Sequence, residues 1–196
     1  MDCDGKWHWT DVSSGRKLSA MSATPTLPVD HLDRLDHLDR LVTGVRNAVD
    51  VHADWPHTAR FVADQLRAHL PGLDVLTPEQ RLGSPEGQAS HTLHVEPNGS
   101  FSIIAVVWRP GQLTPIHDHT TWCVFGVIQG VEHEDVFDAD LNLVGQSDNV
   151  VGDVSGFAPP GDIHRVHNTG DEVAISVHIY GTDVTRIGSS VRRYYD

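Results

Sequence analysis

His117 and His119 stand one residue apart in Thr-Pro-Ile-His-Asp-His-Thr-Thr-Trp, a run that favours extended structure. Positions i and i+2 of a strand share a face, so both imidazoles can reach one metal ion. A second segment, Pro-Pro-Gly-Asp-Ile-His-Arg-Val-His-Asn from Pro159 to Asn168, offers His164 in a turn followed by a strand. Three imidazoles on one side of an ion leave coordination positions open. Nitrogen donors suit ferrous iron, copper, nickel and zinc. Zinc held this way implies hydrolysis or hydration; iron implies oxygen chemistry. A set without a carboxylate leaves the full +2 charge on the metal, which favours an anionic donor such as a thiolate. The chain has 14 histidines, so their presence alone decides nothing; spacing singles out these three.

The elements that must position them are legible in the hydrophobic pattern. From Pro28 to Asp50, Leu32, Leu35, Leu38, Leu41, Val42 and Val45 recur at steps of three and four, one face of an amphipathic helix. Asp33, Arg34, Asp36, Asp39 and Arg40 form its solvated face, with His31 and His37 as exposed residues without function. Asp54-Trp-Pro-His starts a second helix, with Phe61, Val62, Leu66 and Leu70 on its apolar face and Pro71-Gly72 as its stop. Residues 78–87 read as a loop. Short β-rich runs follow: His91–Glu96, Phe101–Trp108, Ile116–Ile128, Val131–Phe137, Leu141–Val144, Val150–Ser155, Ile163–His167 and Val173–Tyr180. Turn signals separate them, so the second part is an all-β barrel or sandwich. The expected layout is a flexible tail over 1–27, then one domain over 28–196, helical over 28–72 and a β-barrel over 88–183. Tyr194 and Tyr195 are expected to pack back on the barrel. Trp122 and Phe125 read as core or pocket wall, and His133 and His167 as outward-facing.

Composition narrows the class. The 196 residues are 39% hydrophobic and 21% charged, which suits a globular domain. A formal charge of −13 speaks against nucleic acid and anionic membranes as partners. There is no 18-residue apolar run, and Met1–Ala20 has no apolar signal core. With Cys3 in the tail and Cys123 in the key stretch, no disulfide is expected, and the location is read as cytoplasmic. The oligomeric state stays open.

The two histidine segments match a known template. Gly111, five residues, His-x-His, three residues to Cys123 and six to Gly130 resemble the first cupin motif. In that motif the slot of Cys123 usually holds a metal-ligating glutamate. Pro159-x-Gly161, His164 and Asn168 resemble the second motif, with its leading glycine, Gly152, displaced by one residue. Together with Ser176-Val-His-Ile-Tyr180, these stretches are similar to the cysteine dioxygenase type I family of thiol dioxygenases. The resemblance implies a mainly β fold: a cupin, or double-stranded β-helix (jelly-roll) barrel, with two N-terminal α-helices. It implies iron(II) held by His117, His119 and His164, with Ser176, His178 and Tyr180 in a hydrogen-bonded line beside it. Some members link a cysteine to that tyrosine as a thioether, and Cys123 stands close to the matching position.

The implied function is an iron(II)-dependent thiol dioxygenase, an oxidoreductase that oxidises cysteine or a close small thiol with O2 to the sulfinate. The alternatives are a cysteine-oxidising cupin of specialised metabolism with another sulfur product, and a non-catalytic metal-binding cupin. One departure concerns the substrate. Family members place an arginine or a glutamine before the strand that precedes the first motif. Here Ser90 or His91 falls there, with Gln88 nearby. Arg81, Arg109, Arg165 or Gln88 are the candidate replacements, and His91 or His94 is expected to point into the pocket.

Overall fold

The computed structural model describes residues 29–195, with side chains from residue 37 onward. The expected tail, Cys3 and the His31 side chain lie outside the described residues. Helix α1 (Val29–Val49) and helix α2 (Trp55–Ala68) come first. Asp54 caps α2 by accepting from the His57 backbone N–H at 3.0 Å, with Pro56 in the first turn.

Ten strands follow, all paired antiparallel in two five-stranded sheets, the arrangement of a jelly roll. One sheet runs in the order β1 (Ala89–Val95), β2 (Ser102–Trp108), β9 (Ala174–Tyr180), β4 (Cys123–Gln129) and β7 (Val154–Phe157). The other runs β10 (Val191–Tyr194), β3 (His117–His119), β8 (His164–His167), β5 (Val131–Phe137) and β6 (Leu143–Val150). A short helix, α3 (Val184–Ile187), lies between β9 and β10.

The first sheet is covered on both faces. Ile103, Ala105 and Val107 of β2 join Leu41, Val45, Val62 and Leu66 of the helices in one core. Ile104, Val106 and Trp108 turn the other way, into the barrel. Burial on both faces explains why β2 reads as an unbroken apolar run. Gly126 of β4 lets α2 seat on the sheet, since a Cβ there would stand 2.8 Å from Leu70 Cδ1. Arg46 of α1 ties the helices to the barrel by donating to both carboxylate oxygens of Glu96, at 2.8 and 2.9 Å.

Three expectations change. The run 116–128 is two strands, because the chain crosses from one sheet to the other at Thr120–Trp122. There the Thr120 backbone N–H donates to Ser190 O and Thr121 Oγ1 to Gly181 O. The runs 141–144 and 150–155 give way to β6 and β7. β6 is a polar edge strand that the hydrophobic pattern does not mark, and Val151–Asp153 form the turn between them. The C-terminal β10 has no apolar signature and is held by β3.

Candidate metal centre

His117 and His119 project from the same face of β3, and His164 is the cross-strand partner of His117 on β8. All three are buried, and their ligand atoms lie within 4.8 Å of one another. His117 Nε2 and His164 Nε2 stand 3.2 Å apart. Each Nδ1 has a partner of its own. His117 Nδ1–H donates to Pro115 O at 2.9 Å. His164 Nδ1–H donates to Glu134 Oε1 at 2.6 Å. Asp162 Oδ2 accepts from the His119 backbone N–H at 2.7 Å and faces its Nδ1 at 3.3 Å. These partners fix the tautomers and leave the Nε2 lone pairs converging on one point.

Burial lowers His117 to about 4 and holds His164 well below the ordinary histidine value, so both are neutral and ligand-competent near pH 7. Burial, then the like charge of Glu132, raises Glu134 to about 7. No aspartate, glutamate or cysteine joins the three ligand atoms among the described residues. A set of three buried imidazoles fits a divalent first-row transition metal.

Asp118, between the two β3 ligands, turns outward yet is fully buried. Arg192, Arg193 and Tyr195 all donate to its carboxylate. Burial raises this carboxyl, but those donors outweigh it and hold it well below the usual range. The same contacts strap β10 across the barrel mouth, so Tyr195 packs back on the barrel and Tyr194 lines the cavity.

On β9, Ser176, His178 and Tyr180 share one face. Ser176 Oγ meets His178 Nε2 at 2.8 Å, and His178 Nδ1 meets the Tyr180 hydroxyl at 3.3 Å. Phe125 stacks on His178 at 5.5 Å. Cys123 is the cross-strand partner of Tyr180, and both side chains line the same cavity. Burial pushes both the thiol and the phenol well above their ordinary values, so both are protonated near pH 7. The histidine triad, His178, Tyr180 and Cys123 open onto one cavity of about 390 Å³.

A sequence model of cysteine dioxygenase type I matches residues 86–193, more than half of the chain and nearly all of the barrel. The chain belongs to the cysteine dioxygenase type I family. Similar solved structures include a recombinant oxalate oxidase in complex with glycolate, at 20% identity and TM-score 0.43 over 51% of this chain and 53% of that one. This chain thus spans about half the length of that oxidase. A protein of Thermus thermophilus matches at 19% identity and TM-score 0.44, over 55% of this chain and 96% of that one. Oxalate decarboxylase from Bacillus subtilis matches at 24% identity and TM-score 0.43, over 51% and 27%. The barrel of this family member is a cupin with two helices N-terminal to its strands. Family and buried triad together mark this cavity as a candidate metal centre.

The far wall of this family member's cavity is built from uncharged side chains. Gln88, just before β1, and Ser90 and Thr92 of β1 line its open edge. His91 and His94 do not: alternation turns His91 to the Gln80 amide, at 3.4 Å. A bulge after Thr92 sends His94 to Glu96, at 3.0 Å, and to the Phe101 ring. Of the candidate clamps only Gln88 reaches the cavity. Arg81 donates to Leu76 O, Arg165 pairs with Asp135, and Arg109 is exposed outside it. No lysine or arginine lines the cavity among the described residues. Trp108, 3% exposed, lines it with an indole N–H that has no partner. Trp122 lies in the helix-side core and Phe125 behind His178.

Glu134, Asp162 and the Asp118 clamp were not singled out from sequence. For Asp162 a signal exists, since it stands two residues before His164 in the second histidine segment. For Glu134 it is the Glu-x-Glu alternation on a strand that must face the barrel interior.

Proposed function

We propose that the protein is an iron(II)-dependent thiol oxygenase that converts a small thiol, cysteine or a close analogue, to its sulfinate with O2. The observation that carries this reading is the ligand set: three imidazoles with no carboxylate among them. Such a set leaves the charge of a divalent ion uncompensated and so favours a thiolate as the next donor. Iron(II), when held there, supplies the redox chemistry that lets O2 react with a thiolate. His117, His119 and His164 would hold it.

The protein's own work is positional. Pro115, Glu134 and Asp162 hold the imidazoles in place. Ile104, Val106 and Val166 keep water from one side of the cavity. Tyr180, its ring 6.2 Å from that of His119, offers a hydroxyl to the reacting sulfur or oxygen, and His178 orients it. The balance is RSH plus O2 giving RSO2H. Sulfur loses four electrons and the two oxygen atoms gain them, so no further reductant is required. A cavity wall without a cation makes Gln88 and Ser90 the groups that meet the thiol's tail, with the buried Trp108 N–H the nearest unpartnered donor behind them. Recognition there is by hydrogen bonds rather than by an ion pair.

The test is oxygen uptake by iron-loaded protein against a panel of cysteine, cysteamine and mercaptopropionate, with product mass. Uptake and a mass gain of two oxygens on the thiol are expected. No uptake with any of them overturns the reading; uptake with another product moves it to the specialised-metabolism alternative. Cross-strand pairing of Cys123 with Tyr180 also supports thioether formation between them. The cross-link would show as two bands on a denaturing gel that merge in Cys123→Ser. A single wild-type band without loss of two hydrogens in mass would remove it.

A further inference from the structure

Glu132 is the odd residue of the barrel interior. It is fully buried on β5, and neither carboxylate oxygen has a hydrogen-bond partner. A carboxylate sealed from water without a donor is costly, so such a group calls for an explanation. The groups that face it are Cys123 from β4, Glu134 on its own strand, and His178 and Tyr180 from β9. Asn149 of β6 donates to the Glu132 backbone carbonyl, not to its carboxylate. The basic group among these neighbours is His178, whose Nε2 lies 3.6 Å from Glu132 Oε1. That distance is too long for a hydrogen bond and within ion-pair reach, so a small closure of the two side chains brings them into hydrogen-bond contact.

His178 Nε2 thus faces two groups, Ser176 Oγ at 2.8 Å and Glu132. The two permit opposite tautomers. If the Ser176 hydroxyl donated to Nε2, the nitrogen's lone pair would also face the carboxylate oxygen, which can only accept. Glu132 would then remain buried and repelled. If Nε2 carries the hydrogen, it serves Ser176 Oγ and Glu132 together. Nδ1 is then an acceptor, and Tyr180 must donate its hydroxyl hydrogen to it.

We propose that Glu132 is a positioning residue for the Tyr180–His178 pair and the terminal acceptor of the proton that a thiol sheds on binding. At rest its carboxyl oxygen accepts from Nε2 and keeps the hydrogen there, so the Tyr180 oxygen turns its lone pairs to the cavity. When a thiol binds, its S–H proton passes to the Tyr180 oxygen as the phenol's own proton moves to His178 Nδ1. The Nε2 proton then moves to Glu132 Oε1. One S–H bond is broken, one O–H bond is made at Glu132, and no electron changes hands. The proton stays inside the barrel until the product leaves. The second half rests on the thiol-oxygenase reading; the first half does not.

Two measurements test it. In zinc-loaded, 15N-histidine-labelled protein, with His178 assigned through His178→Gln, NMR should show the Nε2–H tautomer. In Glu132→Leu, with Ser176 as sole partner of Nε2, the Nδ1–H tautomer is expected. Nδ1–H in the wild type overturns the proposal without any variant, and the same tautomer in both proteins overturns it as well. Glu132→Gln keeps the shape but cannot take a proton. Anaerobic calorimetry of cysteine binding to iron-loaded protein, in buffers of differing ionisation enthalpy, should show no net proton release for wild type and one proton for Glu132→Gln. Equal release removes the proton-acceptor half. Protein that binds no thiol removes that half together with the function reading, while the tautomer alone decides the first.

Discussion

The two walls of the cavity are built on opposite plans. On the histidine side every ligand is braced, His117 by Pro115 O and the other two by the buried carboxylates of Glu134 and Asp162. On the facing side Gln88, just before β1, and Ser90 and Thr92 of β1 are short or uncharged side chains at an exposed edge, and β2 offers an indole N–H with no partner. Buried charge on one wall fixes the geometry of a metal, because each charged partner is expensive to leave unmatched. Neutral side chains at a rim carry no such penalty and can change without unfolding the barrel. On the proposed function, the first wall sets the chemistry and the second the choice of substrate. Substitutions should separate the two.

The largest effect belongs to the ligands. His164→Ala should leave the barrel folded and lower metal affinity more than the about 100-fold that marks the loss of an outer-shell partner. Metal analysis of purified protein checks this, and one tightly held ion per chain in the variant would break the assignment. Next come the braces. Asp162→Asn removes the carboxylate from the His119 ring and backbone N–H, and about 10–100-fold in metal affinity should go with it. Unchanged affinity would mean that the histidine wall is not braced in the way its geometry indicates.

How much of this contrast was legible beforehand follows from the range of the interactions. The helices declare themselves through Leu35, Leu38, Leu41 and Val45, because helical periodicity is local. The triad declares itself through the spacing of His117, His119 and His164, and the β9 line through its alternation. The braces do not, since Glu134 lies 30 residues from His164 and Asp162 43 from His119, and only the folded sheet brings them together. Strand β6 escaped because Gly145-Gln-Ser-Asp-Asn149 at a sheet edge needs no apolar face. The far wall misled at His91 and His94, where alternation and a bulge turn both rings out of the cavity. A strand's facing is set by its pairing, and β1 contributes too few apolar residues to announce it.

The far wall should respond differently. Ser90→Arg would place a guanidinium at the cavity edge, and a charge-assisted contact of about 1.5–3 kcal/mol corresponds to a preference for carboxylated thiols of about tenfold or more. Relative kcat/KM for mercaptopropionate over cysteamine reads this, with metal content unchanged. A loss of metal would merge the two walls into one unit. Trp108→Phe keeps the ring and removes the free N–H. A rise in KM of about 3–10-fold with kcat unchanged is expected if that donor meets the substrate's tail, the sign of lost uniform binding. An unchanged KM would exclude the indole from recognition.

The smallest effect tests the seam between the walls. Strand β10 hangs on Asp118, which stands between two ligands of the first wall, while Ser190, Val191 and Tyr194 of the same arm line the cavity. Asp118 is fully buried, but the side chains of Arg192 and Arg193 are about half exposed, so either ion pair alone is weakened by solvent. Arg193→Ala should barely move the melting temperature, since Arg192 and Tyr195 still satisfy the carboxylate. Removing both arginines leaves a buried carboxylate with one neutral donor, and the cost should then exceed the sum of the single changes. The coupled loss should appear as a raised KM, because Ser190, Val191 and Tyr194 of the arm line the cavity. Strict additivity of the two changes would mean that β10 is held by its ladder hydrogen bonds rather than by the Asp118 clamp.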